Sequence, residues 1–266
     1  MKIRLENSFT TDNSAECEAG CFFMRTDANA KFEPEAAQKG AQIISIAQAK
    51  ELLNINPRIK IIGITGTNGK TTTAAAIYST LLDLGFNCGL SGTRGAFINE
   101  SRIDEKGLTT SSVFKTMGYL YEAGKQGCEY FVMEVSSHAI AQNRIQELNF
   151  ALKIFTNLSQ DHLDYHGSME EYAAVKSSFF ADDAPKLINA DDGHIKFNPA
   201  NALTYGIKNP ASFGVSGYGL KGSIDALVRT PNGDNAQLQS DLIGEFNLYN
   251  LTAAFAAVKI LSKLPN

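Results

Sequence analysis

The chain has 266 residues, of which 44% are hydrophobic and 20% charged, and its formal net charge at pH 7 is −4. That length suffices for one large or two modest domains with a buried core, and the weakly acidic balance argues against a nucleic-acid-binding surface. The opening residues lack the apolar run of a signal peptide, and no stretch approaches the ~20 apolar residues of a membrane span, so we expect a cytoplasmic protein.

The four cysteines, at positions 17, 21, 88 and 128, are too few and too scattered for a disulfide framework. Cys17 and Cys21 are spaced like half of a metal site, but no nearby Cys/His pair completes it. We therefore expect free thiols at all four positions.

Residues 1–57 are predicted to form a small domain of their own. Its predicted elements are a strand at 21–26, a short helix at 34–41 and a strand at 42–47. Asn56-Pro57 then breaks the pattern, which places the second domain at 58–266. The alternative is that the first segment forms the first layer of one larger sheet.

From Ile59 onward, apolar strands alternate with helical patterns, as expected for a parallel sheet with crossover helices. The predicted strands are at 59–65, 130–135, 151–157 and 186–191, and the predicted helices are at 71–85, 168–180 and 247–263. A polar, glycine-rich stretch at 211–240 contains a hairpin turn. The sequence thus predicts an α/β protein, in which a small N-terminal α/β domain precedes a P-loop-type, mostly parallel sheet with flanking helices.

Residues 64–76 read ITGTNGKTTTAAA, so a glycine-rich turn joins the first strand of the second domain to a helix. Such a turn lets main-chain N–H groups converge on phosphate oxygens at the positive end of the helix. Lys70 would neutralise the phosphates of a nucleotide, and the Thr71 hydroxyl would bind Mg²⁺. The glycine spacing differs from the usual phosphate-binding pattern, because position 64 is Ile. A purely structural turn with a solvated lysine is the alternative.

Polar residues follow three of the predicted strands, at 65–71, 134–138 and 157–166. In an open α/β sheet, ligands bind beyond the carboxyl ends of the strands. Glu134 lies in the second of these segments and would supply a carboxylate for Mg²⁺, which prefers oxygen ligands. The three segments together indicate one ligand site at this edge of the sheet.

Several segments resemble the Mur ligase superfamily and, within it, the MurE branch. They are TGTNGKTT (65–72), EVSSHAIAQNR (134–144), FTNLSQDHLDYHGSMEEYAAVKSSFF (155–180) and GEFNLYNLTAAFAA (244–257). NSAECEAGCFF (13–23) is a weaker match, in which Asn13-Ser14-Ala15 replaces the usual Asp-Ser-Arg. The resemblance covers almost the whole chain. It implies a UDP-sugar-binding domain and a central ATP-binding domain, so we expect a fragment without the C-terminal ligase domain.

The resemblance implies a role for each matching residue around the nucleotide. The ATP site would comprise Gly66, Thr67, Asn68, Gly69, Lys70, Thr71 and Thr72, with Asn247 and Asn250 near the adenine. The magnesium ligands would be Thr71, Glu134, His162 and Lys176, and the catalytic residues would be Lys70, Glu134, His162 and Lys176. The family carbamylates the lysine that Lys176 matches, because a carbamate offers Mg²⁺ anionic oxygens where a bare ammonium would repel it.

The residue patterns alone leave simpler roles open for some of these positions. Lys176 would be a helix-surface lysine, Asn247 the N-cap of the last helix, and His162 a hydrogen-bonded loop histidine. The same loop role is expected for His138 and His166, which match no metal ligand of the family.

The resemblance also implies a set of contacts to a UDP-N-acetylmuramoyl dipeptide. These would be made by Ser14, Thr109, Thr110, Ser136, Gln142 and Arg144. Arginine is suited to this role because its planar fork binds a carboxylate or phosphate through two hydrogen bonds. The alternative for Arg144 is a surface salt bridge. Leu108 and Ser111-Ser112 depart from the residues that usually flank the two threonines.

The implied reaction is the ATP-dependent addition of a diamino acid to UDP-N-acetylmuramoyl-L-alanyl-D-glutamate in peptidoglycan biosynthesis, through an acyl phosphate. Its cofactors would be ATP, Mg²⁺ and carbamylated Lys176. Meso-diaminopimelate is the expected amino acid. L-lysine is the alternative, because in this family the residues that select the amino acid lie in the C-terminal ligase domain.

Other functions also remain open. One is a nucleotide- and UDP-sugar-binding module without activity of its own. A different P-loop enzyme, such as a kinase, is disfavoured by the DHLDYHG segment with its downstream lysine. Folylpolyglutamate synthase is disfavoured because its loop usually continues past the lysine with Gly-Ser, where this chain has Thr71-Thr72. The expected partners are the UDP-sugar dipeptide and the diamino acid, with no nucleic acid, and the expected assembly is a monomer.

Overall fold

The computed structural model describes residues 1–161 and 163–262, without the side chain of Leu163. Two separate sheets are present in this part of the chain. The smaller sheet has the strand order β1-β2-β3-β4, in which the first pair is antiparallel and the others are parallel. Its strands are β1 Lys2–Arg4, β2 Phe9–Thr11, β3 Phe22–Met24 and β4 Gln42–Ile44. Its helices are α1 Glu33–Gln38 and α2 Ile46–Leu52, with short 3₁₀ turns at Ser14–Glu16 and Ala30–Phe32.

The strand predicted at 42–47 ends already at Ile44, so the prediction is wrong for residues 45–47. Ser45 caps a helix that begins at Ile46. The Ser45 hydroxyl accepts from the main-chain N–H of Gln48, and the Gln48 side chain accepts from the N–H of Ser45. This reciprocal pair is a capping box, which satisfies two of the unpaired donors at a helix N-terminus. Ile46 therefore starts α2 instead of extending β4.

The larger sheet comprises strands β5 to β15. Its strands are β5 Lys60–Thr65, β6 Cys88–Gly92, β7 Gly95–Ile98, β8 Ser101–Asp104, β9 Tyr130–Glu134, β10 Phe150–Phe155, β11 Lys186–Asn189, β12 Ala202–Gly206, β13 Phe213–Gly219, β14 Ile224–Arg229 and β15 Asn235–Ser240. The order is β15-β14-β13-β12-β11-β10-β5-β9-β6-β7-β8. The strands from β13 to β6 run parallel, and an antiparallel pair extends each edge. The glycine-rich turn follows β5, at the centre of the parallel part.

Helices cover both faces of the larger sheet. They are α3 Lys70–Asp83, α4 Val113–Lys125, α5 Ser137–Ala141, α6 Leu163–His166, α7 Met169–Ser178 and α8 Glu245–Ser262. One core cluster joins α3 and α8 to the sheet through residues such as Ile77 and Ala257. A second cluster, on the other face, joins α4 and α7 through residues such as Leu120 and Tyr172. This enclosure explains why the central strands read as continuous apolar runs.

The small sheet packs on α4. Ile3, Met24 and Ile44 of the small sheet share a buried cluster with Phe114 and Met117 of that helix. The mixed α/β architecture predicted from the sequence is therefore confirmed, while the division into domains at residue 57 stays a prediction. No helix in the described part of the chain has the length and apolar character needed to cross a bilayer.

Candidate active site

The turn after β5 can be built only with glycine at two positions. Gly66 and Gly69 have φ values of +151° and +85°, in the region that side chains disfavour. A Cβ atom on Gly66 would lie 1.9 Å from Thr156 Oγ1, and one on Gly69 would lie 2.2 Å from Asn250 Oδ1. The neighbouring side chains thus leave no room for a residue larger than glycine at either position.

The segment after β10 holds this turn in place. The N–H of Thr67 donates to the carbonyl of Asn157 at 2.8 Å, and the N–H of Asn68 donates to Asn157 Oδ1 at 2.9 Å. Thr156 Oγ1 donates to the carbonyl of Asn68 at 2.6 Å. The turn is therefore ordered by protein contacts before helix α3 begins at Lys70, with Thr72 in its first turn.

Two lysines converge on one carbonyl of this turn. The Nζ atoms of Lys70 and Lys176 both donate to the carbonyl of Gly66, at 2.8 and 3.1 Å. Lys70 also donates to the carbonyl of Thr67, and Lys176 to Thr65 Oγ1. Lys176 is only 1% exposed, so the alternative of a helix-surface lysine is wrong.

Burial lowers the pKa of both amines. Burial first, and then repulsion by Lys70, lower the pKa of Lys176 to about 7. Burial also lowers the pKa of Lys70, although the nearby negative charges of Glu134 and Asp161 oppose this effect. Close to neutral pH, Lys176 is thus divided between its charged and its neutral form.

Glu134, at the end of β9, is a buried carboxylate beside this turn. It is 2% exposed, and Thr71 Oγ1 donates to its Oε2 atom at 3.0 Å. Thr93 donates twice, from its N–H to Oε1 at 2.9 Å and from its hydroxyl to Oε2 at 3.1 Å. Within the described part of the chain, these donors from Thr71 and Thr93 are neutral groups. A buried carboxylate of this kind is suited to a cation, because buried charges are normally paired or metal-bound.

The predicted metal ligands are brought together only in part. Thr71 and Glu134 are in direct contact, and Lys176 donates a hydrogen bond to the carbonyl of Gly66 in the same turn. His162 lies outside the described residues. Within 1–161 and 163–262, no group of three or more His, Cys, Asp or Glu side chains is arranged to hold a metal. The oxygen donors that are present fit Mg²⁺, which is commonly bound by one or two carboxylates together with waters and substrate phosphates.

Tyr172 is a contact of the turn that sequence reasoning missed. Its hydroxyl lies 3.2 Å from Thr67 Oγ1, and its ring stacks on His166 with centroids 4.9 Å apart. His166 Nε2 lies 2.8 Å from Ser137 Oγ, so the expected hydrogen bond is present. The expected loop position is wrong, because His166 is the last residue of α6 and His138 lies in α5. The sequence did not indicate this contact with Thr67, because an aromatic residue at helical spacing is usually packed in the hydrophobic core.

Four of the six predicted substrate residues form one hydrogen-bonded group next to Glu134. Thr110 Oγ1 donates to the carbonyl of Glu134 at 2.9 Å and accepts from the N–H of Ser136 at 2.9 Å. Arg144 Nη1 donates to the carbonyl of Thr110 at 3.0 Å, and its Nε donates to Gln142 Oε1 at 3.0 Å. These contacts, and not a surface salt bridge, orient Arg144 among the described residues.

A cleft of about 440 Å³ lies beside Arg144, between the small sheet and the segment after α5. It is lined by Asp12, Thr26, Asp27, Ala28, Asn29, Ile46, Ser112, Val113, Gln142, Asn143, Arg144 and Gln146. Ser14 is not among these residues; its buried hydroxyl donates to Glu35 Oε2 at 2.7 Å. The predicted contact of Ser14 with the substrate therefore has no support from its position.

A second cleft, of about 350 Å³, opens next to the glycine-rich turn. Asn250 lines it, whereas Asn247 donates to the carbonyl of Ile243 and accepts from Asn250 Nδ2. Asn247 is not the N-cap of the last helix, because α8 already begins at Glu245. Phe246, which is 80% exposed, also lines the cleft and was missed in the sequence.

Comparison with known proteins relates this geometry to one family. The family model described as Mur ligase middle domain matches residues 64–258. The UDP-N-acetylmuramoyl-L-alanyl-D-glutamate--2,6-diaminopimelate ligase of Wolinella succinogenes is 49% identical over 254 residues, which are 95% of this chain and 58% of that protein. The enzyme of the same name from Helicobacter pylori is 45% identical, over 97% of this chain and 60% of its own length.

A solved structure of a ligase with the same name has a TM-score of 0.81 at 26% identity. The superposition covers 96% of this chain and 60% of that one. The chain therefore spans about three fifths of the length of the curated relatives that it matches.

Proposed function

Because the chain belongs to the Mur ligase family, we propose that it binds ATP and a UDP-N-acetylmuramoyl dipeptide for an ATP-dependent ligase reaction of the MurE type. The observation that carries this proposal is the cluster of Lys70, Glu134 and Lys176 around one glycine-rich turn. One cleft opens next to the turn and would take the nucleotide. The other lies beside Arg144, which is linked to Glu134 through Thr110, and would take the second substrate.

In the proposed reaction, the free carboxylate of UDP-N-acetylmuramoyl-L-alanyl-D-glutamate attacks the γ-phosphate of ATP. An acyl phosphate and ADP form, and the amine of a diamino acid then displaces phosphate. Lys70 and the N-terminus of α3 would hold the nucleotide phosphates, because both present positive charge at the turn. Asn250 and Phe246 line the cleft that would take the nucleoside.

Magnesium, when bound, neutralises charge on the phosphoryl group that is transferred. We assign Thr71 and Glu134 as its ligands, together with His162 and carbamylated Lys176. The assignment is supported by the buried carboxylate of Glu134, to which neutral groups of Thr71 and Thr93 donate hydrogen bonds.

The surroundings of Lys176 support its carbamylation. The neutral amine attacks CO₂, a C–N bond forms, and a proton is released to solvent, so that the side chain ends as an anionic carbamate. A pKa of about 7 makes the neutral amine available near neutral pH. The change from a positive to a negative charge also removes the repulsion between Lys176 and Lys70.

We propose Arg144, Gln142, Thr109, Thr110 and Ser136 as contacts to the UDP-sugar dipeptide. Their support is the hydrogen-bonded group that joins most of them to Glu134 and to the larger cleft. Meso-diaminopimelate is the proposed amino acid, because the W. succinogenes and H. pylori relatives carry it in their names. L-lysine remains the alternative. We further propose that the enzyme is a monomer and that it is cytoplasmic; four free, buried cysteines support the proposed location.

A reaction test uses this chain joined to the part of the W. succinogenes ligase that lies outside the match. With ATP and Mg²⁺, we expect ADP release that requires both UDP-N-acetylmuramoyl-L-alanyl-D-glutamate and meso-diaminopimelate, with the tripeptide product identified by mass spectrometry. Replacement of meso-diaminopimelate by L-lysine distinguishes the two amino acids. ADP release that is indifferent to the UDP-sugar dipeptide would contradict the proposed function.

A further inference from the structure

Thr93 lies between the two halves of the site, in the turn that joins β6 to β7. Its hydroxyl is within 3.1 Å of Glu134 Oε2 and within 3.2 Å of Thr109 Oγ1. The first partner is a proposed magnesium ligand, and the second is a proposed substrate contact. Thr93 is thus a direct bridge between them.

The turn around Thr93 is shaped to the Glu134 carboxylate. A Cβ atom on Gly92 would lie 2.1 Å from Glu134 Oε1, so only glycine fits there. The N–H of Thr93 donates to that same oxygen at 2.9 Å. The main chain of the turn therefore positions Glu134 by itself, and the hydroxyl of Thr93 makes a separate contribution.

A threonine hydroxyl has one proton to donate. The Thr93 hydroxyl faces two acceptors, Glu134 Oε2 and Thr109 Oγ1, so a full hydrogen bond can be donated to only one of them at a time. Glu134 Oε2 also receives the hydroxyl proton of Thr71, so it keeps a donor when Thr93 turns away. The proton of Thr93 consequently has two alternative positions.

We propose that Thr93 is a positioning residue that couples cation binding at Glu134 to substrate binding at Thr109. The inference rests on the proposed function, because it requires a cation at Glu134 and the UDP-sugar dipeptide at Thr109. A cation on the carboxylate repels the hydroxyl proton, which then turns to Thr109 Oγ1. Thr109, having accepted this bond, directs its own proton outward to an anionic oxygen of the dipeptide substrate.

By thermodynamic reciprocity, each ligand then increases the affinity for the other by the same factor. A residue that merely stabilised the fold would change both affinities without changing this factor. The coupling factor is therefore the readout that separates the two roles.

The experiment measures the affinity of the 266-residue chain for a non-hydrolysable ATP analogue with Mg²⁺, with and without saturating UDP-N-acetylmuramoyl-L-alanyl-D-glutamate. For the unsubstituted chain, we expect the dipeptide to tighten analogue binding by at least about fivefold, as is typical of coupled sites. Thr93→Val, which has nearly the same shape and no hydroxyl, should reduce the factor to about one. Thr93→Ser, which keeps the hydroxyl, should retain it.

Thr116→Val is the matched control. Thr116 Oγ1 is buried and has no hydrogen-bond partner within the described residues, so this variant should keep the full coupling factor. Thermal melting verifies that each variant is folded.

The outcomes are distinct. If Thr93→Val is folded and retains the coupling of the unsubstituted chain, or if the unsubstituted chain binds both ligands without coupling, the role of Thr93 is contradicted. If the unsubstituted chain binds neither ligand, the proposed function itself is contradicted.

Discussion

The glycine-rich turn and the cleft beside Arg144 are built in different ways. The turn lies at the centre of the parallel sheet, and its contacts come from the buried ends of β5, β9 and β10. The cleft lies between the small sheet and the segment after α5, and exposed contacts join these two regions. Examples are Asn143 Nδ2 to Asp27 Oδ2 at 3.3 Å, and Lys50 Nζ to the carbonyl of Glu147 at 2.9 Å.

This difference separates a site built from buried strand ends from one whose walls are joined at the surface. The turn and its lysines are fixed by the same core that stabilises the fold, so substitutions there should affect both stability and nucleotide binding. The cleft depends on surface contacts, which contribute little to stability individually. Substitutions there should weaken one ligand and leave the rest of the molecule unchanged.

The largest effect should come from Gly66→Ala. Its Cβ atom would lie 1.9 Å from Thr156 Oγ1, so the turn must move away from its position. We expect at least about a hundredfold loss of ATP affinity in titration calorimetry, the result of losing several charge-assisted contacts at ~1.5–3 kcal/mol each. Gly193→Ala is the control, because open space surrounds Gly193. Equal ATP affinity of Gly66→Ala and the unsubstituted chain would show that the turn does not bind phosphate.

Arg144→Ala should act on the cleft alone. We expect the affinity for the UDP-sugar dipeptide to fall by about tenfold to a hundredfold, since one charge-assisted hydrogen bond is worth ~1.5–3 kcal/mol. The affinity for ATP should stay within about twofold. Arg102→Ala, which removes an exposed arginine paired with Glu105, is the matched control. An equal loss for both ligands would instead make Arg144 a structural residue of the whole site.

Lys176→Met should have opposite effects on stability and on binding. The unfolded lysine has a pKa near 10.4, whereas the folded one has a pKa of about 7. Between these values the unfolded chain binds more protons, so the unfolding free energy of the unsubstituted chain should rise with pH across this window. In buffer free of CO₂ and Mg²⁺, the variant should lack this rise and be the more stable protein at pH 7.

We expect a gain for Lys176→Met of about 2 kcal/mol at pH 7, because the variant loses two hydrogen bonds that offset part of the relief from desolvation. With bicarbonate and Mg²⁺ present, the same variant should bind the magnesium–ATP complex more weakly than the unsubstituted chain. Urea unfolding between pH 7 and 10 tests the first statement. Parallel pH profiles for the two proteins would show that Lys176 is not neutralised in the folded state.

Ser14→Ala should have the smallest effect on ligands. Its hydroxyl donates to Glu35 and lies outside the lining of the cleft. We expect the affinity for the UDP-sugar dipeptide to change by less than about twofold, while the unfolding free energy falls by ~1 kcal/mol with the lost hydrogen bond. A tenfold loss of affinity for the dipeptide, at unchanged ATP affinity, would contradict this expectation and show that Ser14 contacts the substrate.

Regions whose structure depends on residues close together in the sequence could be predicted, and regions that depend on distant residues could not. The glycine-rich turn was predictable because strand, turn, lysine and helix follow one another within residues 64–76. The central strands were predictable because strands buried on both faces are continuous apolar runs. The hairpin turn expected within 211–240 is confirmed, since it joins the antiparallel strands β14 and β15. Helix α4 and the other antiparallel edge, β7 and β8, were missed, because their patterns are mixed and depend on packing partners.

The contacts that give the site its chemistry are long-range and could not be predicted from the residues alone. The burial of Lys176 and its shared carbonyl with Lys70 depend on α7 packing against β5, 110 residues away in sequence. Thr93 meets Glu134 across 41 residues, and no local pattern distinguishes it from other turn threonines. The resemblance supplied a role for Lys176, but the structure supplies the reason for its unusual amine.

The most direct test of the central claim is a titration of the 266-residue chain, loaded with Mg²⁺ and a non-hydrolysable ATP analogue, with UDP-N-acetylmuramoyl-L-alanyl-D-glutamate and separately with folate. We predict saturable heat for the UDP-sugar dipeptide at a stoichiometry of about one, and no binding of folate. Binding of folate with comparable affinity, or no binding of the UDP-sugar dipeptide, would contradict the account.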